Sequence, residues 1–367
     1  KWSGDWRAGI NVALLAIPQG MAYALVAGLP ISYGLLGSAI AAIIGGIFGG
    51  GRFVTLGPTN ATAVLLFGVF ASIGLIKSNG MGSEESLSLL PWILVFTSVF
   101  LIIASILRIS FMIQFISRTV ITAYVTAAAC LIIANQSKHL LGLQNTSGDI
   151  PTTFWEIIIH TLSNLNLFYL PALLLSLLTA FFYVLLQRKF PSLPNVAITL
   201  VISSLIAVGY EQINWRVTCL DSFSLAGSFL TIPKVSTFAT QWETILSSAF
   251  AVSLLCLLEG LSIGKSLAAR AGSRINTNQE TMSIGLGNLG CALFSGMPAS
   301  GSLTRSTLNV ESGATTSVAN LVAGLLILLG SLVLGNLIAF VPLCALATLV
   351  VFIGTSLIKA RQIKTVS

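Results

Sequence analysis

The sequence predicts an all-α polytopic membrane protein of two inverted repeats, with two half-helices meeting at mid-membrane. Three observations predict it. Of the 367 residues, 55% are hydrophobic and only 8% charged, with a mean hydropathy of +0.94, where soluble domains carry about 25% charged residues. A long apolar segment, 281–294, runs into Gly296, Pro298 and Gly301, and a new helical pattern carrying Arg305 follows. A similar glycine-centred interruption, around Gly57 and Pro58, comes early in the chain. Interrupted helices at membrane depth survive only where they line a cavity or are buried in protein, and matched interruptions in two halves point to a transporter's binding site.

A helical span needs about 20 apolar residues. In order, the expected spans are 8–29, preceded by Lys1 and Arg7; 33–48, with Arg52 beyond it; a broken segment, 54–76; and 90–107, closed by Arg108. Next come 113–134, with Arg118 near its start, 168–186, closed by Arg188 and Lys189, and 196–210. The remainder are 245–267, with Lys265, Arg270 and Arg274 at its end, then 281–294, the broken 300–310, 317–340, and 343–358, followed by Lys359, Arg361 and Lys364. The short amphipathic stretch 150–165 reads as a surface helix on the outer side. With Lys1 cytoplasmic, thirteen basic residues fall on the inner side, Lys77, Lys138, Arg216 and Lys234 fall outside, and Arg305 lies within the membrane. That asymmetry follows the positive-inside rule and predicts a cytoplasmic N-terminus in the cell (plasma or inner) membrane.

Several classes are excluded. The net charge of +7 is accounted for by the inner ends of the spans, and no basic patch interleaved with aromatics marks a nucleic-acid surface. Five scattered cysteines form no CxxC pair and no metal-ligand spacing, so neither disulfides nor a metal site is expected. His139 and His160 stand alone, as loop or helix-end residues. No nucleophile–base set suggests an enzyme. The chain starts at Lys1 without a signal-peptide pattern, and both ends are expected to be trimmed.

The repeat is read from two ungapped matches. Residues 14–28 (LLAIPQGMAYALVAG) align with 254–268 (LLCLLEGLSIGKSLA), placing Gln19 opposite Glu259, each followed by glycine and each the one strongly polar side chain at mid-span. TLGPTNATA (55–63) aligns with ASGSLTRST (299–307), with Gly57 opposite Gly301. Seven expected spans precede residue 245, and a repeat with an odd number of spans returns inverted.

A helix opening at mid-membrane presents unpaired N–H groups and the positive end of its dipole. Two such openings, at 58–60 and 301–304, make an anion site without metal or cofactor. Thr59, Asn60, Ser300, Ser302 and Thr304 add neutral donors, and Arg305 adds a full charge whose burial costs at least ~2.5–3.5 kcal/mol. Arg305 either attracts an anion or pairs permanently with Glu259 to hold two helices together. Glu259 either couples protonation to anion binding, removing a repulsive charge when protonated, or serves as a sodium ligand with hydroxyls such as Ser262. Gln19 and Tyr23, one helical turn apart, either close the site from the first span or leave Tyr23 as lipid-facing filler.

These residues carry a resemblance. DWRAGINVALLAIPQGMAYALVAGLP, GGGRFVTLGPTNATAVLL and GLGNLGCALFSGMPASGSLTRSTLNVESGATT, in that order, closely resemble the SulP / solute carrier 26 anion transporters. The resemblance implies fourteen spans in a 7+7 inverted-repeat, uracil-permease-like fold, with a core domain sliding against a gate domain as an elevator. It implies pocket roles for Gln19, Tyr23, Thr59, Leu303, Thr304 and Arg305; Asn60 and Ser302 join them from the openings themselves. It also implies a cation-coupling role for Glu259 and coupling by H+ or Na+ rather than any cofactor. Family members continue past residue 358 with two more spans and usually a cytoplasmic STAS domain, so the last two spans are expected to be missing here and no STAS domain present.

The expected organisation is a first-repeat core at 1–109, a first-repeat gate at 110–240, a second-repeat core at 241–341 and a truncated second-repeat gate at 342–367. The expected function is secondary active transport of an inorganic anion, most simply proton-coupled sulfate uptake, by a homodimer in the bilayer. Sodium-coupled bicarbonate symport and an uncoupled channel or exchanger are the alternatives.

Overall fold

The computed structural model describes residues 2–76, 81–108, 118–143, 154–190, 195–220, 230–335 and 337–357. In chain order the elements are α1 (Trp2–Val26), α2 (Ile31–Phe48), β1 (Leu56–Gly57), α3 (Asn60–Ser72), α4 (Glu84–Ile106), α5 (Arg118–Leu140) and α6 (Phe154–Ser163). They continue as α7 (Leu170–Lys189), α8 (Asn195–Glu211), α9 (Val235–Arg270), α10 (Thr277–Leu293), β2 (Ser300–Gly301), α11 (Leu303–Glu311), α12 (Val318–Leu334) and α13 (Leu343–Leu357). Among the described residues, α1, α2, α4, α7 and α9 are long and apolar enough to cross a membrane by themselves.

The chain divides into two compact units. The first takes Lys1–Ile76, Met81–Ser117 and Leu225–Val333; the second takes Lys77–Gly80, Arg118–Ser224 and Leu334–Ser367. In the first unit α10 packs against α4 and α2, and α1 against α2 and α11. The α1–α2 approach is backbone to backbone, because a Cβ at Gly34 would overlap the Gly20 carbonyl. Gly49–Gly51 folds onto the start of α10, where buried Glu280 accepts N–H bonds from Gly50 (2.8 Å) and Gly51 (2.9 Å). The α11–α12 turn is tied to α1: Asp5 accepts from the Thr315 and Thr316 amides, and Arg7 donates to the Ser312 carbonyl (2.9 Å) at the end of α11. A cation at a helix C-terminus and an anion at the start of the next both suit the helix dipoles.

In the second unit α13 packs against α5 and α7, and α7 against α8. The segment before α13 is held by Leu220 N–H to Val341 O and Leu343 N–H to Thr218 O, both 2.9 Å.

Several expected boundaries move, each for a local reason. The expected 245–267 span begins at Val235, with a break at Gln241 (φ −132°, ψ 28°). Hydropathy cannot see this polar extension. Trp92 Nε1 donates to Lys234 O (2.8 Å), Gln241 Nε2 to Glu85 Oε1 (2.7 Å), and Phe238 stacks on Phe96 to hold it. The expected 113–134 span is described from Arg118, residues 113–117 lying outside the described set, and runs on to Leu140. Ser137 there donates to Ala134 O and pairs with Thr161 of α6, so polar side chains at the helix end find partners. The expected surface helix 150–165 is α6, residues 150–153 being outside the described set. The expected 317–340 span splits into α12 and a 3-10 turn at Leu337–Phe340. The second broken helix starts at Leu303 rather than 300, because Ser300 and Gly301 are spent on strand pairing.

Candidate functional site

Every sequence-predicted site residue lies in the first unit. The two interruptions meet there as a minimal antiparallel pair, Leu56 opposite Gly301 and Gly57 opposite Ser300. Ser302 N–H extends it to Thr55 O (3.0 Å), and Thr55 N–H donates to Ser306 Oγ (2.9 Å) on the far side of the α11 opening. Each extended segment then turns into a helix.

The two openings are capped differently. At α3, Thr59 Oγ1 accepts from Thr62 N–H (3.3 Å) while Thr62 Oγ1 accepts from Thr59 N–H (3.1 Å), a reciprocal box that satisfies two orphan donors. At α11, Ser302 Oγ accepts from Arg305 N–H at 3.5 Å and also lies 3.3 Å from Thr304 Oγ1. That cap is long and shared.

Arg305 is fully buried. Its Nη2 donates to Pro58 O (2.6 Å), and its Nε and Nη1 have no hydrogen-bond partner. The guanidinium lies against Gly57, where a Cβ would stand 2.7 Å from Nη1 and 3.0 Å from Cζ, and where φ is +153°. Only glycine leaves that space at that backbone angle. Buried donors without partners are rare in folded proteins and call for a ligand, an ion or water. Asn60 Oδ1 and Gln19 Oε1 are also buried without partners. An amide turned by half a rotation presents NH2 instead of oxygen, so these two groups supply either donor or acceptor.

The two polar residues that the repeat alignment pairs bond crosswise. Gln19 on α1 donates to Thr304 Oγ1 (3.5 Å) at the second opening, and Glu259 on α9 accepts from Thr59 Oγ1 (2.7 Å) at the first. The guanidinium's hydrogen bond goes to Pro58, while Glu259 takes its bonds from Thr59 and Ser300, one at each interruption, and stays within electrostatic reach of Arg305. Tyr23 is buried within electrostatic reach of both charges, so it is not lipid-facing filler. Glu259 and Thr304 are half-buried and Leu303 is exposed, which leaves the cluster accessible along one side while Arg305 stays enclosed. Chemically this is a set of hydroxyls, helix N–H groups and one partly unsatisfied guanidinium facing a carboxylate. It suits a compact oxyanion.

Two buried asparagines escaped the sequence reading. Asn288 on α10 donates to Ala299 O (2.8 Å) and accepts from Ala299 N–H (3.0 Å), just ahead of β2. Asn320 on α12 donates to Val54 O (2.8 Å) and accepts from Thr55 Oγ1 (2.8 Å), just ahead of β1. A polar residue in an apolar helix was their one sequence signal, and it does not say what the residue reaches.

The profile of the sulfate permease family matches residues 3–367, almost the whole chain. The chain belongs to that family. Among curated relatives, the bovine sodium-independent sulfate anion transporter is 30% identical over 98% of this chain and 62% of its own length. YvdB of Bacillus subtilis is 26% identical over 99% of this chain and 66% of its own length. The chain thus spans somewhat less than two thirds of the length of these relatives. The solved transmembrane domain of the cyanobacterial bicarbonate transporter BicA superposes with a TM-score of 0.86 at 22% identity, covering 98% of this chain and 89% of that one. As a sulfate permease family member, the chain has a mostly helical, multi-pass membrane fold of this type, in a family of transporters rather than enzymes.

Proposed function

We propose that this chain is the membrane part of a secondary active transporter for inorganic anions, most simply one that takes up sulfate with protons. The observation that carries the reading is Arg305: fully buried, with Nε and Nη1 unpartnered, between two helix openings. A buried guanidinium left short of partners is costly, and an oxyanion is the ligand that repays the cost bidentately. Sulfate is supported by the names that the relatives carry. Coupling is supported by Glu259, whose carboxylate takes a bond from the residue that caps α3. Protonation or cation binding there would alter the charge facing the anion and the anchoring of that opening together.

In this reading the N-terminus is cytoplasmic and the two halves belong to a 7+7 inverted repeat. The first compact unit is the moving core and the second the gate of an elevator, working as a homodimer. Sodium-coupled bicarbonate symport is the second reading, favoured by the hydroxyl oxygen beside the Glu259 carboxylate, a donor set that suits a hard cation.

The test is uptake of labelled sulfate and bicarbonate into proteoliposomes of the full-length protein, under separately imposed proton and sodium gradients. Proton-driven sulfate accumulation lost in Glu259→Gln is the expected result. Sodium-driven bicarbonate uptake would replace the substrate and the coupling ion. Gradient-independent flux that survives Glu259→Gln would refute coupling.

A further inference from the structure

The paired strands at the crossing of the two interruptions are only two residues long each. Such a pair satisfies its inner edges, with Thr55 answered by Ser302 and Ser306, and leaves the outer edges, at Val54 and at Ala299, with backbone groups that no strand answers. At membrane depth water is not available to complete them, so each must find a partner within the protein. The two asparagines are those partners. Asn288 meets Ala299 with both ends of its amide, Nδ2 to the carbonyl at 2.8 Å and Oδ1 from the N–H at 3.0 Å, as a neighbouring strand would. Nδ2 also donates to Ile284 O (2.9 Å) on its own helix, which fixes the side chain's direction. On the other edge Asn320 takes Val54 O at 2.8 Å and Thr55 Oγ1 at 2.8 Å, and its Oδ1 also accepts from Asn309 Nδ2 (3.2 Å), on α11. Both asparagines are fully buried.

We propose that Asn288 and Asn320 are positioning residues that clamp the two outer edges of the crossing and thereby hold the α3 and α11 openings at the spacing an anion needs. The short lever arms carry the inference. Ala299 precedes Ser302, the cap of α11, by three residues, and Thr55 precedes Gly57, against which Arg305 lies, by two. Loss of either clamp lets an opening drift without removing any group that touches the anion. The proposal rests on the anion site being at this crossing, so the test separates the two claims.

Asn288→Leu and Asn320→Leu remove both hydrogen-bonding functions while keeping the branched, four-heavy-atom shape of the side chain. Sulfate uptake by monodisperse protein is measured as KM and as Vmax per reconstituted molecule, beside Arg305→Ala. For Asn288→Leu, amide hydrogen exchange is also followed in the peptide that contains Ala299. The expected result is a KM raised about tenfold with Vmax preserved in both leucine variants, and exchange at Ala299 faster by about tenfold, the scale of one buried hydrogen bond. Should a leucine variant fail to fold, Asn288→Ser and Asn320→Ser, too short to span both partners, take its place with the same expectation. An unchanged KM with a lowered Vmax, or unchanged exchange at Ala299, overturns the positioning role while Arg305→Ala still abolishes uptake. If Arg305→Ala also leaves KM unchanged, the site itself is elsewhere and both claims fall.

Discussion

The two helix openings share an ancestry-like pattern in sequence and differ in how they are finished. The α3 opening is capped from within, Thr59 and Thr62 satisfying each other's orphan groups, and it reaches across the site through the Thr59 hydroxyl to Glu259 and the Thr62 hydroxyl to Pro298 O. The α11 opening is left open, with a cap stretched to 3.5 Å and a buried guanidinium that keeps two donor nitrogens unspent. One opening is frame and the other is hook. Their crosswise partners differ in strength, since Glu259 takes a 2.7 Å bond from the frame's Thr59 and also meets Ser300, while Gln19 touches the hook at 3.5 Å.

The largest expected effect comes from shortening the hook. Arg305→Lys keeps the charge, but one ammonium cannot serve Pro58 and an anion in the bidentate manner of a guanidinium. Sulfate affinity should fall by about 10- to 100-fold, the loss of one or two charge-assisted hydrogen bonds, as read by uptake kinetics. The matched glycines separate the two openings next. A Cβ at Gly57 meets the Arg305 guanidinium, a side chain that can move, whereas a Cβ at Gly301 lies 2.9 Å from the Gly260 Cα, a helix backbone that cannot. Gly57→Ala should therefore weaken anion affinity, beside the backbone strain of an alanine held at φ +153°. Gly301→Ala should lower thermal stability by about 1–3 kcal/mol through overpacking while moving affinity less. Equal behaviour of the two would erase the distinction.

The caps are expected to give smaller effects, in a fixed order. Thr59→Val deletes a cap and the hydroxyl that reaches Glu259, and should cost about 1–2 kcal/mol in thermal unfolding, with Thr59→Ser restoring it. Ser302→Ala removes only a long cap and should cost about 0.5 kcal/mol, the low end of the same scale. A larger loss at Ser302 than at Thr59 would invert the assignment of frame and hook.

Much of this was legible in the sequence. Apolar runs marked the helices, and the interruptions at Gly57-Pro58 and Gly301 located both openings to within a few residues, because glycine and proline act on the backbone locally. What was illegible depends on partners distant in the chain. That Asn320 would reach Val54 and Thr55, and Glu259 would bond to Thr59 and Ser300, follows from how α9 and α12 pack. The polar start of α9 was missed for a different reason: a helix continuing past the apolar layer leaves no hydropathy signal. Glu280, buried against Gly50 and Gly51, lies just outside the apolar run 281–294, so hydropathy gives no sign of its burial.

The measurement that tests the central claim most directly is equilibrium binding of labelled sulfate to purified full-length protein, wild type against Arg305→Ala, with both shown to be monodisperse. The account predicts saturable binding to the wild type and none, at the same concentrations, to the variant. Undiminished binding to Arg305→Ala would contradict it.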